Sequence, residues 1–370
     1  MINKQRLLTL FEELVNIDSP SFGEREVCDY LKKKFSDLGL AVYEDNAGEV
    51  IGGNCGNIYV KCEGNLDLPP ILLSAHMDTV EPSRGKRMQT DEQGMITSVG
   101  NTVLGADDFA GVAAIVEGLT ILKESGKPHR PIEILFSVAE EPYCVGIKKV
   151  EFERLESKEA YVFDLTGPVG GAAYQAPTIV SYEVTVTGRA AHAGFAPEDG
   201  IHAIKIAAEI IDQITCGKVG AGTVNVGMIT GGTANNIVPE LCRFTGEIRS
   251  FSDDEAMEQL QTIAETAKRI AEEHGGKAVL EKGVHFHAYN TPQDHPVVKR
   301  FLTACDGIGV ESQLCQTYGG SDQNYMALQG ITGIVVATAM NNCHSSEEYT
   351  TEDELVRAAE IALALMESKE

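Results

Sequence analysis

The sequence predicts an α/β protein: a layered domain with a central sheet and flanking helices, into which a smaller domain of ferredoxin-like order is inserted. Three observations carry that prediction. Predominantly apolar runs recur at 71–75, 132–138 (IEILFSV), 160–165 (AYVFDL) and 334–339 (IVVATA), as expected of strands buried on both faces. Between the first two lies DDFAGVAAIVEGLTILKESG (107–126), a helical stretch long enough to cross over a sheet. In mid-chain the pattern changes, and at 370 residues the chain exceeds the roughly 250 to 300 at which single cores stop growing.

Taken in order, residues 23–38 (GEREVCDYLKKKFSDL) have helical spacing, with Ser21 as the candidate N-cap and Gly39 as the stop. The apolar strands and the crossover helix follow. TIVSYEVTVTG (178–188) then alternates apolar and polar residues, DGIHAIKIAAEIIDQI (199–214) is helical, and GTVNVGMI (222–229) and RFTGEIRS (243–250) are again extended. A charged helix at 253–276 and an extended piece at 277–287 complete the order strand, helix, strand, strand, helix, strand, which is the split βαβ arrangement. The inserted domain is therefore expected at 177–288, with 1–176 and 289–370 forming the other.

The formal net charge of -25 argues against binding nucleic acid or an anionic membrane through a general electrostatic field. The N-terminal stretch has no apolar core of the roughly 7 to 15 residues found in signal peptides. Nor does any later segment approach the roughly 18 uncharged apolar residues of a membrane helix. Nine cysteines without CxxC spacing favour reduced thiols and a cytoplasmic location over a disulfide framework or a thiolate zinc site. Cys343, beside His344, reads as a small buried residue.

Chemistry collects at the strand ends. In ILLSAHMDTV (71–80), His76 and Asp78 stand two apart in an extended segment and so project the same way. LGADDFAG places Asp107 and Asp108 between a glycine turn and a helix start, and VAEEP places Glu140 and Glu141 after a strand that Pro142 prevents from continuing. Asp164 lies near the end of the next strand and His344 after the last. Ligands of open α/β sheets bind outside the carboxyl ends of strands, so these positions converge. Two histidines and several carboxylates together would be a costly cluster of negative charge unless a cation neutralised it. Imidazole and carboxylate donors without thiolates suit zinc, with cobalt or manganese as alternatives.

The ordered set AHMDTV, GADDFAG, AEEP, FD and CHSSEEY, with GRAAHAG in mid-chain, resembles the di-zinc metallopeptidase family of peptidase T, carboxypeptidase G-type enzymes, aminoacylases and succinyl-diaminopimelate desuccinylase. The resemblance spans essentially the whole chain, and GADD with GRAAHAG looks most like the peptidase T-like branch of tripeptide aminopeptidases. It implies that Asp107 bridges two metal ions, with His76 and Asp164 completing one ion's protein ligands and Glu141 and His344 the other's. It also implies a cis peptide between Asp107 and Asp108. Glu140 would be the general base, and Asp78 would accept a hydrogen bond from the second ring nitrogen of His76, fixing its tautomer.

The inserted domain would be a dimerisation and lid domain. His192 of GRAAHAG would reach the partner subunit's active site and stabilise an oxyanion, which implies a homodimer. Asn236 of TANNIVPE and Arg249 of GEIRS would contact substrate, the guanidinium suiting a substrate carboxylate. YGGSDQNY (318–325) resembles the family's glycine-rich substrate loop. One departure stands out: the branch commonly has lysine after GADD, and this chain has Phe109. The expected protein is a cytoplasmic, dimeric, two-metal exopeptidase acting on short peptides. The enzyme alternatives are an N-acyl amino acid amidohydrolase and a dipeptidase. The rival from another class is a catalytically silent binding protein, which would have no use for Glu140 beside five ligands.

Overall fold

In the computed structural model, which describes residues 1–369, the chain divides into two units. The first comprises Met1–Gln175, Asn290–Thr317 and the described residues from Ser321 onward. Its sheet is mixed. Four parallel strands lie at its centre in the order Ile132–Ser137, Ile71–His76, Glu159–Thr166 and Thr332–Met340. Antiparallel strands Ile58–Cys62 and Val42–Glu44 extend one side, and Gly171–Ala176 pairs antiparallel on the other.

Every residue of Ile71–His76 and Ile132–Ser137 is buried, which is why both read as continuous apolar runs. The helix Ala106–Ser125 packs on the strands, and Lys4–Val15 and Glu352–Glu367 pack on that helix. Because the four central strands run the same way, their carboxyl ends lie along one edge. His76, the Glu140–Glu141 pair, Asp164 and His344 all sit at or just beyond those ends.

One local expectation is corrected. Helix Arg25–Asp37 has Glu24, not Ser21, at its N-cap, and no side chain caps it. The Ser21 hydroxyl instead donates to Asp78 Oδ2 at 2.7 Å, and a buried carboxylate is the stronger acceptor. Gly39, with φ 71°, does follow the end of this helix.

The second unit comprises Ala176–Tyr289 with Tyr318–Gly320. Its antiparallel sheet has the order Gly217–Val219, Gly222–Gly231, Leu241–Ser250, Thr178–Thr187, Lys277–Phe286. Setting aside the short first strand, this is the ferredoxin-like arrangement, with the first and third strands adjacent at the centre. Helices Ala203–Gln213 and Asp253–Glu273 pack on the sheet, burying Ile206, Ile210, Leu260, Ile263 and Ile270 against Val180, Val184 and Phe244. Ser252 caps the second helix by accepting the Glu255 N–H. The Tyr318–Gly320 segment joins this unit because Arg249 Nη1 donates to the Tyr318 carbonyl, the Tyr318 ring packs on Phe251, and Gly320 lies against the Phe286 ring. Among the described residues no helix is long and apolar enough to cross a membrane.

Candidate active site

His76 is the last residue of its strand and 2% exposed. Its Nδ1 lies 2.9 Å from the backbone carbonyl of Asp78 and 3.4 Å from Asp78 Oδ1. A carbonyl only accepts, so Nδ1 carries the proton and the neutral ring presents the Nε2 lone pair outward. That lone pair faces Asp107 Oδ1 at 3.1 Å and Asp164 Oδ1 at 3.9 Å. Such an approach is repulsive unless a proton or a cation lies between them.

The same relation recurs on the other side of Asp107. His344, held at φ 61° in the loop after the last central strand, brings Nε2 within 3.2 Å of Asp107 Oδ2 and 3.1 Å of Glu141 Oε2. Asp107 thus offers one oxygen to each histidine. The peptide joining it to Asp108 is cis.

The electrostatics match a site built for cations. Burial, then the neighbouring carboxylates, pushes Asp164 and Glu140 well above the usual range. Burial likewise raises Glu141. Although burial opposes it, hydrogen bonds to Asp107 and Asp78 raise His76, and contacts with Asp107 and Glu141 raise His344 to about 11. Left to themselves, these groups hold protons in the space where ligand atoms converge. Glu141 Oε1 is buried without any hydrogen-bond partner. An orphaned carboxylate oxygen, two imidazole Nε2 atoms facing carboxylates and an oxygen-rich donor set without thiolates fit divalent metal ions.

Asp78 plays a broader part than the sequence indicated. Its Oδ1 accepts the Glu140 N–H at 2.9 Å, and its Oδ2 accepts the Glu141 N–H at 3.2 Å and the Ser21 hydroxyl. The carboxylate therefore anchors the two-glutamate turn, while the closest acceptor to His76 Nδ1 is the Asp78 carbonyl. Adjacent Ala139 has φ 48°, which turns the chain so that Glu140 and Glu141 diverge. Glu140 lies in one donor group with His76 and Asp164, and Glu141 in another with His76 and Asp107. The Cys144 thiol donates to Glu140 Oε1 at 2.9 Å.

Asp108, named in the sequence without a role, and three carboxylates the sequence did not single out, Glu24, Asp322 and Glu348, support the site. Asp108 Oδ2 accepts the His76 N–H at 3.0 Å. Glu348 accepts the Gly105 and Asp107 N–H groups at 2.8 and 3.0 Å, and Glu24 accepts those of Phe22 and Ala139, both at 2.9 Å. Asp322 accepts the Ser137 hydroxyl and shares a buried group with Glu140 and Cys144. Burial lifts Glu24 and Glu348 to about 7 and Asp322 to about 6. Asp322 and Glu348 lay inside the quoted motifs YGGSDQNY and CHSSEEY, so their acidity was visible while their partners were not.

In the second unit, Ala191–His192 pairs with Ile237–Val238, and the Asn236 carbonyl accepts the Ala193 N–H at 2.9 Å, so His192 and Asn236 share one small ladder. His192 Nδ1 accepts the N–H groups of Gly194 and Phe195 at 3.1 and 3.2 Å, which assigns the ring proton to Nε2. Phe195, 86% exposed, stacks on this ring at 4.3 Å. Arg249 donates through Nε to Glu247 at 2.6 Å and through Nη1 to the Tyr318 carbonyl at 2.5 Å. Part of its fork is thus already engaged within the chain.

Comparisons with known proteins agree with this geometry. A model of the M20-type peptidase dimerisation domain matches residues 175–277, and a model of peptidase family M28 matches residues 57–202. A Bacillus subtilis (strain 168) relative, called uncharacterized protein YqjE, is 36% identical over 368 residues, covering 99% of each chain. The crystal structure of aminopeptidase PepT from Bacillus cereus is 37% identical with a TM-score of 0.94, and that of a tripeptidase from Staphylococcus aureus is 32% identical with a TM-score of 0.97. Each covers 99% of this chain, and 98% of its own chain is matched.

Proposed function

Since the chain belongs to the M20 peptidase family, in its peptidase T-like branch, we propose that it is a metal-dependent exopeptidase that removes the N-terminal residue from short peptides, tripeptides foremost. The observation that carries the reading is Asp107, which turns one oxygen to His76 and the other to His344. Two divalent ions would share Asp107, with His76 and Asp164 holding one, Glu141 and His344 the other, and zinc best suited to these donors. When bound, such ions polarise the scissile carbonyl and make water nucleophilic at neutral pH.

The remaining work falls to side chains. Glu140, fixed by its N–H bond to Asp78 and the Cys144 thiol on Oε1, takes the proton from the attacking water and returns it to the leaving amine. Arg249 and Asn236 bind substrate, the guanidinium using the donors not engaged by Glu247 and Tyr318.

Competing hydrolysis of a free-amine tripeptide, its N-acetylated form and an N-acyl amino acid tests the substrate class. The tripeptide with a free amine should be cleaved fastest, with release of its first residue. Preference for either acylated substrate would overturn the aminopeptidase reading in favour of an amidohydrolase. Failure to hydrolyse any of the three by zinc-loaded protein would favour a binding protein. All nine cysteines are free, which supports a reducing, cytoplasmic setting.

The match to a dimerisation domain supports a homodimer, in which His192 would act on the partner's site. With its proton on Nε2, the exposed ring is a ready donor to a developing oxyanion. His192→Ala should lower kcat by about 10²- to 10³-fold. Mixing His192→Ala and Glu140→Gln subunits, each inactive alone, should restore turnover if the histidine acts in trans. A mixture with confirmed subunit exchange that remains as inactive as its components would assign His192 to its own subunit's site.

A further inference from the structure

The turn that carries Glu140 and Glu141 is held by side chains. Strand Ile132–Ser137 has ended by Val138, yet the next four backbone N–H groups are all paired. Val138 donates to Asn57 Oδ1 at 3.0 Å, Ala139 to Glu24 Oε1 at 2.9 Å, Glu140 to Asp78 Oδ1 at 2.9 Å and Glu141 to Asp78 Oδ2 at 3.2 Å. Asn57 and Asp78 flank strands of the same sheet, Ile58–Cys62 and Ile71–His76. Glu24 comes from outside the sheet, at the start of helix Arg25–Asp37.

Glu24 Oε1 also accepts the N–H of Phe22 at 2.9 Å. Phe22 and Ala139 both have positive φ, 69° and 48°, a region that non-glycine residues enter only at a cost. One carboxylate oxygen thus ties together two left-handed residues from distant segments. Glu24 and Ala139 are both fully buried, so water does not stand in as an acceptor. The segment before Glu24 is docked on both sides of Asp78. The Ser19 hydroxyl donates to the Met77 carbonyl, the Ser19 carbonyl accepts the Thr79 N–H, and Ser21 donates to Asp78 itself. Removing the Glu24 acceptor would leave a buried N–H unpaired and let Ala139 relax towards negative φ. Rotation there redirects the two side chains that follow.

We infer that Glu24 is a positioning residue, which holds Ala139 left-handed and so aims Glu140 at the reacting water and Glu141 towards His344. The inference rests on the reading of Glu140 as general base and Glu141 as a metal ligand.

Three variants test it by calorimetric titration of the chelator-stripped protein with zinc, steady-state kinetics at saturating zinc, and thermal unfolding. Glu24→Gln keeps an oxygen for both N–H groups and places an amide NH2 where Oε2 lies, an atom with no hydrogen-bond partner among the described residues. It should lower Tm, because a buried donor is added without an acceptor, yet retain zinc affinity and kcat. Glu24→Met keeps the stem and removes the acceptor. It should also lower Tm, but with zinc affinity about 10- to 100-fold weaker, kcat lowered comparably and KM little changed. Glu24→Met/Ala139→Gly should regain most of the zinc affinity and kcat, because glycine takes positive φ readily.

A loss of zinc affinity in Glu24→Gln comparable to that expected of Glu24→Met would overturn the inference even if Glu24→Met failed to fold, since both N–H groups still have their oxygen. Wild-type zinc affinity in Glu24→Met, or a double variant no better than Glu24→Met, would overturn it too. Because zinc binding is read without turnover, a wild type that binds zinc but cleaves no short peptide would sink the proposed activity and still decide the role of Glu24.

Discussion

Glu140→Gln should lower kcat on a free-amine tripeptide by about 10²- to 10⁴-fold, the range associated with losing a positioned general base, while the purified protein keeps its full complement of metal. The amide is nearly isosteric and its oxygen can still accept from the Cys144 thiol, so the side chain has no reason to leave its place. The Glu140 N–H, which binds Asp78 Oδ1, is unaffected by the change. What disappears is the capacity to take and return a proton. Glu141→Gln should behave differently, because Glu141 faces His344 at 3.1 Å and has an orphaned buried oxygen. That variant should lose affinity for one ion first and turnover as a consequence. Elemental analysis beside steady-state kinetics separates the two. Substantial turnover by metal-loaded Glu140→Gln would remove Glu140 as the base.

The contrast between these neighbours shows what a linear sequence can carry. His76, Asp107, Glu140, Glu141, Asp164 and His344 were legible because each sits at or just after the end of a strand or the start of a helix. Local pattern reveals those ends, and the parallel topology gathers them at one edge. The inserted fold was legible for a similar reason, since alternating strands and amphipathic helices state their order directly.

The residues that hold these side chains in place were not. Glu24 reaches Ala139 across 115 positions, and Glu348 reaches Asp107 across 241. No periodicity links such pairs. Ser21 looked like a helix cap because a hydroxyl before a helix usually is one, whereas its strongest available acceptor was a buried carboxylate 57 residues away. Phe109 was visible as a departure from pattern, but its partner Lys86 emerged only when both side chains were placed.

Stripping the metal with a chelator should lower Tm, and the deficit should widen as pH rises. Glu140, Glu141, Asp108 and Asp164 are carboxyls whose folded-state values lie above those of the unfolded chain, mainly through burial. His76 and His344 are also raised, His344 to about 11. In both classes the folded, metal-free site holds protons that the unfolded chain releases. The associated stability is present below the unfolded values, about 4 for carboxyls and about 6.5 for histidine, and is lost as pH rises towards the folded ones. Asp78 and Asp107 are lowered and contribute in the opposite sense, but their contribution changes only below about pH 4. Between about pH 5 and pH 8, the stripped protein should therefore become steadily less stable.

Bound metal displaces those protons, so the loaded protein should lack this slope. Free metal at about 100 times its dissociation constant would add roughly 2.7 kcal/mol per site. Thermal unfolding of stripped and zinc-loaded protein across this range measures both effects. Melting curves that coincide at every pH would show that the histidine and carboxylate cluster is not a metal centre at all.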